Sequence, residues 1–165
     1  MAWPRRAKTG KGGVPTAVLD TNVFVAAGFN PGSASATLIE AVRQGRVALV
    51  WTAATRRETR AVLTRIARLS WEEVASLFRP EMEHPPESAP DASFVADPGD
   101  RKLAALAQAA GAVLVSADGY LLANRDKLAV RRPAESLREL EGPGRADDEA
   151  PGRSGPPPTW RRQAR

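Results

Sequence analysis

Short apolar runs alternate along the chain with longer stretches in which apolar residues recur every three or four positions. The short runs are typical of buried strands, and the longer stretches are typical of helices that bury one face. Because the two kinds of element alternate, the sequence predicts an α/β fold in which helices flank a parallel sheet. The predicted strands are residues 16–20, 47–51, 92–96, 113–116 and 128–131, and the predicted helices are residues 35–44, 53–69, 70–78, 101–110 and 133–140.

Residues that favour helix ends support several of these boundaries. Gly45 and Gly111 each follow a predicted helix, and glycine is the commonest residue just beyond a helix C-terminus. Ser70 and Glu73 have the spacing of a capping box. We therefore expect the helix over 70–78 to begin at this pair.

Composition divides the chain into one domain and two terminal segments. Residues 1–15 and 142–165 are rich in Gly, Pro and Arg. Such segments cannot bury enough apolar surface to offset chain entropy, so both are predicted to be disordered. The first is a basic arm and the second a Pro/Gly/Arg-rich tail. Residues 16–141 form the expected single domain.

The net charge of +5 is concentrated at the two ends. Residues 1–16 contain four basic residues and no acid, which gives +4, and residues 142–165 contain five arginines against three acids, which gives +2. Residues 17–141 contain fifteen basic and sixteen acidic residues, which gives −1. Basic ends that neutralise phosphates would favour nucleic acid as a partner. Solubilising tails are an equally consistent interpretation.

Cysteine is absent from the sequence, and histidine occurs once, at His84. This excludes a disulfide framework, a thiolate nucleophile, a cysteine-based zinc site and a two-histidine ribonuclease mechanism. A chain without cysteine suits a reducing compartment, so we expect a cytoplasmic protein. No long apolar stretch indicates a signal peptide or a membrane span, and no membrane partner is expected.

Three aspartates occupy positions where an α/β fold places its ligands. Asp20 closes the first strand and Asp118 follows the strand over 113–116. Asp100 lies at the start of the helix that leads into this second strand. Ligands of an open parallel sheet bind beyond the carboxyl ends of the strands, where the strand order reverses. Taken singly, each aspartate could instead cap a helix or form a turn.

Glu58 lies within the predicted helix over 53–69. Thr55, Glu58 and Val62 continue with Ile66 and Leu69 in a stripe at helical spacing, so the pattern predicts that Glu58 faces the protein interior. An inward carboxylate is costly unless a cation or hydrogen-bond donors compensate for its charge. The alternative is a salt bridge with a nearby arginine.

Four converging carboxylates, with neither histidine nor cysteine among them, indicate a hard divalent cation. Oxygen ligands suit Mg²⁺ or Mn²⁺ better than zinc. Acid–base chemistry at such a site must then come from the carboxylates and from water held by the ion.

The acids and their surroundings resemble those of the PIN-domain nuclease family. The run VLDTNV at 18–23 is similar to the family's opening signature, and Glu58 occupies the place of its helical glutamate. DRKLAALA at 100–107 and VLVSAD at 113–118 resemble its second half. The resemblance covers roughly residues 16–140.

Two shorter runs, DPGD at 97–100 and RPAESL at 132–137, resemble one branch of that family, whose members are described as toxins of toxin–antitoxin pairs. This resemblance implies single-stranded or structured RNA as the substrate and an antitoxin protein as a partner. A homodimer is left open. An RNA-processing nuclease outside any toxin–antitoxin pair is the alternative.

For the fold, the resemblance implies a three-layer sandwich with a five-stranded parallel sheet in the order 3-2-1-4-5. It implies that the catalytic and metal-binding residues are the four acids, which cleave phosphodiester bonds to leave a 5′-phosphate and a 3′-hydroxyl. Asn22 and Ser116 fall where polar residues support the metal or its water. Asp97 is an outer residue of the site or, as the simpler interpretation, a turn residue before Pro98. The four acids are Asp20, Glu58, Asp100 and Asp118.

Three arginines, Arg56, Arg57 and Arg60, flank Glu58 and could line an RNA groove, because guanidinium groups bind phosphate in a bidentate manner. A solvated helix face would explain them equally well.

The rival enzymes, a phospho-receiver and an aspartate-nucleophile phosphatase, also place an aspartate after the first strand. The phosphatase pattern requires a second aspartate where this chain has Asn22, and the receiver requires a lysine after its last strand, whereas Lys127 precedes that strand. The non-enzymatic rival is an RNA- or protein-binding module with a vestigial site.

Overall fold

A computed structural model describes residues 13–85 and 92–141. The predicted disordered tail at 142–165 and nearly all of the predicted basic arm lie outside the described residues. No helix in the described part of the chain is long and apolar enough to cross a membrane.

The described strands form a parallel sheet of four strands in the order β2-β1-β3-β4. Each strand is short and rich in Val, Leu and Ala, as expected for strands covered on both faces. The chain passes from β1 to β2 on one side and then returns to the other side of β1 for β3. The order therefore reverses between β1 and β3. The strands are β1 (Thr16–Leu19), β2 (Ala48–Leu49), β3 (Val113–Val115) and β4 (Val130–Arg131).

Helices cover both faces of the sheet, which confirms the predicted three-layer α/β sandwich. The seven α-helices of the described residues are α1 (Thr21–Phe29), α2 (Ala34–Arg43), α3 (Ala53–Arg65), α4 (Glu72–Ala75), α5 (Pro98–Ala110), α6 (Gly119–Leu122) and α7 (Pro133–Glu141). A single 3-10 turn spans Pro80–Met82.

Side chains alternate between two hydrophobic cores along the central strands. Ala17 and Leu19 of β1 join a core with residues of α1, α2 and the segment around Trp71. Val18, between them, joins a second core with α5 and with Leu121 of α6. This alternation is the two-residue period of a strand, and it fixes which helices lie on which face.

The strand predicted at 92–96, number 3 in the expected order 3-2-1-4-5, does not form. The other four predicted strands occur in the expected order. Ala92 and Val95 are buried in the second core, which accounts for the apolar signal. The carbonyl of Val95 accepts a hydrogen bond from Arg101 Nε instead of a neighbouring strand. Just beyond the end of β2, Trp51 forms an isolated parallel β-bridge with Glu83.

Two of the predicted helices are shorter than expected. Helix α3 ends at Arg65, because Ile66 adopts an extended backbone. The predicted helix over 70–78 is reduced to α4, and its expected capping box at Ser70 and Glu73 does not form. Ser70 Oγ hydrogen-bonds to Glu72 Oε2 at 3.1 Å instead.

Helix α5 begins three residues earlier than predicted and ends where expected. Asp97 caps its N-terminus by accepting a hydrogen bond from the N–H of Gly99 at 2.7 Å, and Pro98 occupies the first turn. Gly111 terminates it with a φ of 62°, a left-handed conformation that favours glycine. This helix start places Asp100 beside the ends of β1 and β3.

Candidate functional site

The carboxyl ends of β1 and β3 lie side by side at the point where the strand order reverses. Leu19 pairs with Val115, and the N–H of Asp20 donates to the Val115 carbonyl at 3.0 Å. The next residues of both strands are therefore neighbours across the ladder. This is the position where open parallel sheets bind their ligands.

Ser116 links the two aspartates that follow these strands. Its side chain is fully buried, and its hydroxyl donates to Asp20 Oδ2 at 2.7 Å. The Ser116 hydroxyl oxygen also accepts a hydrogen bond from the backbone N–H of Asp118 at 3.0 Å. One hydroxyl thus holds the Asp20 carboxylate and positions the backbone of Asp118.

Asp20 is itself almost entirely buried, with 6% of its surface exposed. It caps α1 by accepting the N–H of Asn22 at 3.4 Å. Burial raises the pKa of the Asp20 carboxyl and the charge of Asp118 raises it further, while the hydrogen bonds from Ser116 and from the backbone act in the opposite direction. A buried carboxylate of this kind is stabilised by any cation that binds beside it.

Asp100 lies half-buried in the first turn of α5, facing the other acids. Desolvation, followed by the negative charges of Asp118, Asp20, Asp97 and Glu58, raises its pKa to about 6. Three of these four charges, those of Asp118, Asp20 and Glu58, come from distant parts of the chain. The fold therefore brings all four predicted acids into one electrostatic cluster.

Glu58 belongs to this cluster, but its predicted inward orientation was wrong. Its side chain is exposed, whereas the buried face of α3 consists of Thr55, Thr59 and Leu63. A Cβ placed on Gly99 would lie 4.0 Å from Glu58 Oε1, so the carboxylate reaches the N-terminal turn of α5. Glu58 thus lines the open side of the site.

Helix α3 is fixed to the site by a residue that the sequence pattern did not identify. The Thr59 hydroxyl, which is buried, hydrogen-bonds to the Thr21 hydroxyl at 3.0 Å. Thr21 directly follows Asp20, so this bond holds the turn that bears Glu58 against the end of β1. The i, i+4 spacing of Thr55, Thr59 and Leu63 was the signal available in the sequence.

Of the remaining predicted residues, Asp118 and Asp97 act on Asp100 through their charges, and Asn22 lies two residues after Asp20 in the sequence. Asp118 caps α6 by accepting the N–H of Tyr120 at 2.8 Å, so its capping role and its place in the cluster coexist. Asp97 is the N-cap of α5, as its simpler interpretation proposed, and its charge also acts on Asp100. Asn22 is exposed in the first turn of α1, beside Asp20.

The three arginines of α3 have different environments. The Arg56 guanidinium lies 5.1 Å from the ring centre of Trp71 and 6.0 Å from that of Trp51, in cation–π geometry. Arg57 and Arg60 are exposed on the same helix as Glu58. Within the described part of the chain, only Arg56 of the three contacts aromatic rings.

The four acids have no basic partner within the described residues. The three ion pairs found there join Arg43 to Glu40, Arg125 to Glu135 and Arg131 to Glu139. The salt bridge considered for Glu58 is thus not present. The carboxylates are not closed around a common point either, because no three acidic or histidine side chains in residues 13–85 and 92–141 are placed to enclose a metal ion.

The donor set nevertheless fits a hard divalent cation. It consists of carboxylate oxygens from two strand ends and two helices, together with the Ser116 hydroxyl that orients one of them. Such oxygens are the ligands that Mg²⁺ and Mn²⁺ prefer. Burial and neighbouring negative charges raise the pKa values of Asp20 and Asp100, and a cation bound beside them would offset both effects.

A parallel α/β sandwich with an acidic site at its switch point defines the structural class. The sequence model of one protein family, described as PIN domain, matches residues 16–119, which include all four acids. The match extends over more than half of the chain, which therefore belongs to the PIN-domain family, whose members are generally nucleases. Searches of curated proteins and of solved structures gave no match.

Proposed function

We propose that the protein is an endoribonuclease that depends on Mg²⁺ or Mn²⁺ and hydrolyses phosphodiester bonds in single-stranded RNA. The observation that supports this most directly is the cluster of four carboxylates at the carboxyl edge of β1 and β3, which has no basic partner in residues 13–85 and 92–141. An acidic cluster repels a phosphodiester, so an anionic substrate requires a cation between the two.

Asp20, Asp100 and Asp118 are the proposed metal-holding residues, and Glu58 either completes the shell or orients the attacking water. The divalent ion, when bound, would neutralise a phosphate oxygen and make a water more acidic. Ser116 keeps the Asp20 carboxylate in one orientation through the 2.7 Å hydrogen bond. Because Glu58 is exposed on the open side, it can approach a water that enters with the substrate. Asn22, beside Asp20, can contact that water or the phosphate.

The proposed products are a 5′-phosphate and a 3′-hydroxyl, as in a hydrolysis in which water attacks phosphorus and the 3′ oxygen leaves. Arg57 and Arg60 are exposed on the helix that bears Glu58, so they can bind RNA phosphates next to the cluster. Arg56 is assigned a structural role because of its contacts with Trp51 and Trp71. The basic sequence ends would add affinity of a general, salt-dependent kind.

For the physiological role, we propose a cytoplasmic toxin of a toxin–antitoxin pair, with an antitoxin protein as its partner and a homodimer as one form of assembly. The runs at 97–100 and 132–137 support this assignment. An RNA-processing nuclease outside such a pair uses the same chemistry. The presence of a small open reading frame next to this one, encoding an antitoxin, would distinguish the two.

The test is cleavage of labelled single-stranded RNA by the full chain, with and without a chelator. We expect cleavage in Mg²⁺ or Mn²⁺, loss of cleavage with chelator, and loss of cleavage in Asp20→Asn. Asp126→Asn, which changes an exposed aspartate beyond α6, is the matched control and should cleave as the wild type does. Cleavage by Asp20→Asn at the wild-type rate would remove the proposed site. Binding of RNA without any cleavage would favour the alternative of a vestigial binding module.

A further inference from the structure

Two large hydrophobic side chains are substantially exposed in the described part of the chain, and one of them borders the acidic cluster. Tyr120 is 82% exposed and Phe29 is 51% exposed. Tyr120 lies two residues after Asp118, in the first turn of α6. Phe29 lies at the far end of α1, eight residues after Thr21, the residue that follows Asp20.

The backbone of Tyr120 is held in place although its ring is open to solvent. Its N–H donates to Asp118 Oδ1 at 2.8 Å, and its carbonyl accepts Asn124 Nδ2 at 2.9 Å. Leu121 and Leu122, the next two residues, are buried in the second core. The position of the Tyr120 backbone relative to the cluster is therefore set by the same carboxylate that we assign to the metal.

Three residues close to Tyr120 in the sequence are small and exposed. Ala117, Gly119 and Ala123 are exposed and present at most a methyl group. A Cβ placed on Gly119 would meet no heavy atom within 4 Å. A flat group can therefore reach the ring, which belongs to a side chain with only two rotatable bonds to order.

We propose that Tyr120 is a stacking platform for a base of the single-stranded RNA, next to the phosphodiester held at the acidic cluster. This inference rests on the proposed ribonuclease function. Single-stranded RNA offers unpaired bases with exposed π faces, and aromatic side chains bind them by stacking without reading their identity. Tyr120 thus selects a single strand over a duplex, whose bases are already stacked.

A base suits this surface better than a protein partner does. Protein interfaces and large docking patches extend over several hundred Å² of contiguous surface. Tyr120 is instead a single exposed ring whose sequence neighbours Ala117, Gly119 and Ala123 are small. It lies two residues after Asp118, and the carboxylates of the cluster repel acidic proteins and require a cation before any phosphate can approach. A single stacked nucleotide matches the size of this surface.

The inference is tested with steady-state kinetics on short single-stranded RNA, using the full chain in Mg²⁺ or Mn²⁺. Tyr120→Ala should raise KM roughly five- to a hundredfold, because stacking on one aromatic contributes about that factor per base. Tyr120→Phe, which keeps the ring and removes the hydroxyl, should restore KM to within about twofold. Phe29→Ala, the other exposed aromatic, should leave KM and kcat unchanged. Tyr120→Leu keeps the apolar bulk without the π face and should behave as Tyr120→Ala does.

A scan of substrates, each with one abasic nucleotide, provides the second readout. At one position, loss of the base should raise the KM of the wild type and have little further effect on Tyr120→Ala, as expected for two groups that contact each other. A merely structural role of Tyr120 would not produce this position-specific coupling.

The outcomes separate the inference from the function on which it rests. If the wild type cleaves RNA but Tyr120→Ala has wild-type KM, stacking is overturned and the nuclease proposal is kept. If Tyr120→Phe is as impaired as Tyr120→Ala, the hydroxyl and not the ring face is responsible, and stacking is again overturned. If the wild type neither binds nor cleaves RNA, both proposals fail.

Discussion

Two acids of α7, Glu135 and Glu139, and the acids at the ends of β1 and β3 have opposite electrostatic environments. Glu139 lies 2.8 Å from Arg131 Nε, and Glu135 contacts both terminal nitrogens of Arg125. The hydrogen bond from Arg125 is the main cause of a lowered pKa of Glu135. At the acidic cluster, burial and neighbouring negative charges raise the pKa of Asp20 and of Asp100.

This difference distinguishes acids that stabilise the fold from acids that are available for chemistry. A carboxylate paired with arginine has its charge compensated in the protein alone, and removing it leaves the arginine unpaired. Crowded carboxylates without a cation oppose folding, and their arrangement is explained by a ligand that supplies positive charge. Substitutions in the two regions should therefore have opposite effects on stability and on activity.

The largest expected effect is the loss of cleavage in Asp100→Asn. Removing a proposed metal-holding carboxylate should lower the rate by at least about a hundredfold, as does the loss of a group that stabilises transition-state charge. The metal-free variant should be as stable as the wild type or more stable, because one of the mutually repelling charges is gone. RNA cleavage and urea unfolding, measured on the same preparations, test both statements. An active Asp100→Asn, or one strongly destabilised without metal, would contradict the comparison.

The second prediction concerns divalent cations. Mg²⁺ or Mn²⁺ should raise the melting temperature of the wild type, since a ligand present at a hundred times its Kd stabilises the native state by about 2.7 kcal/mol. The shift should largely disappear in an Asp20→Asn/Asp118→Asn double variant. Glu135→Gln, in the arginine-paired region, should keep the full shift. Equal shifts in all three proteins would place the metal elsewhere.

The third prediction concerns the paired acids. Glu139→Gln should destabilise the protein by about 1–3 kcal/mol, because Arg131 then keeps a largely buried charge without a counterion. Glu135→Gln should cost less than about 1 kcal/mol, since its partner Arg125 is 41% exposed and the pair is screened by water. The shift of the urea midpoint measures both. Both variants should cleave RNA at the wild-type rate, and a loss of activity in either would mean that α7 contributes to the site.

The sequence pattern predicted the centre of the fold better than its edges. Strands β1 and β3 are buried at every position, and all of their residues except Thr16 are apolar, so their signal was unambiguous. The apolar segment over 92–96 is buried as an irregular segment, and a short apolar run cannot distinguish that state from a strand. Strand pairing is a property of distant parts of the chain, which local pattern does not contain.

The candidate site was predictable in its members and not in their geometry. The topology of parallel strands was sufficient to expect Asp20 and Asp118 near each other. The predicted orientation of Glu58 was wrong because two stripes at helical spacing begin at Thr55. One continues through Glu58, and the other, which is the buried one, continues through Thr59. The second stripe was not recognised as the buried face because Thr59 is polar. Thr59 is buried because it has a hydroxyl partner, Thr21, across the fold. Such tertiary pairing has no local signature.

The smallest expected effect is a pH dependence of stability in the metal-free protein, which arises from Asp100. The folded protein raises the pKa of this carboxyl from 3.8 to about 6, so the native state takes up a proton at a higher pH than the unfolded chain does. Between these values the native state binds more protons, and this contribution to stability must therefore fall as pH rises from about 4 to about 6. Above about 6 it stays constant.

Comparison with Asp100→Asn isolates this contribution, because the other titrating groups are common to both proteins. With chelator present, the stability advantage of Asp100→Asn over the wild type should be larger at pH about 7 than at pH about 4. Urea unfolding at several pH values within this window measures the difference. Glu135→Gln should show the opposite trend relative to the wild type, since the pKa of Glu135 is lowered and its contribution is lost as pH falls. If the difference between Asp100→Asn and the wild type did not change with pH, Asp100 would not be coupled to the other carboxylates. The contrast between the crowded and the arginine-paired acids would then rest on Asp20 alone.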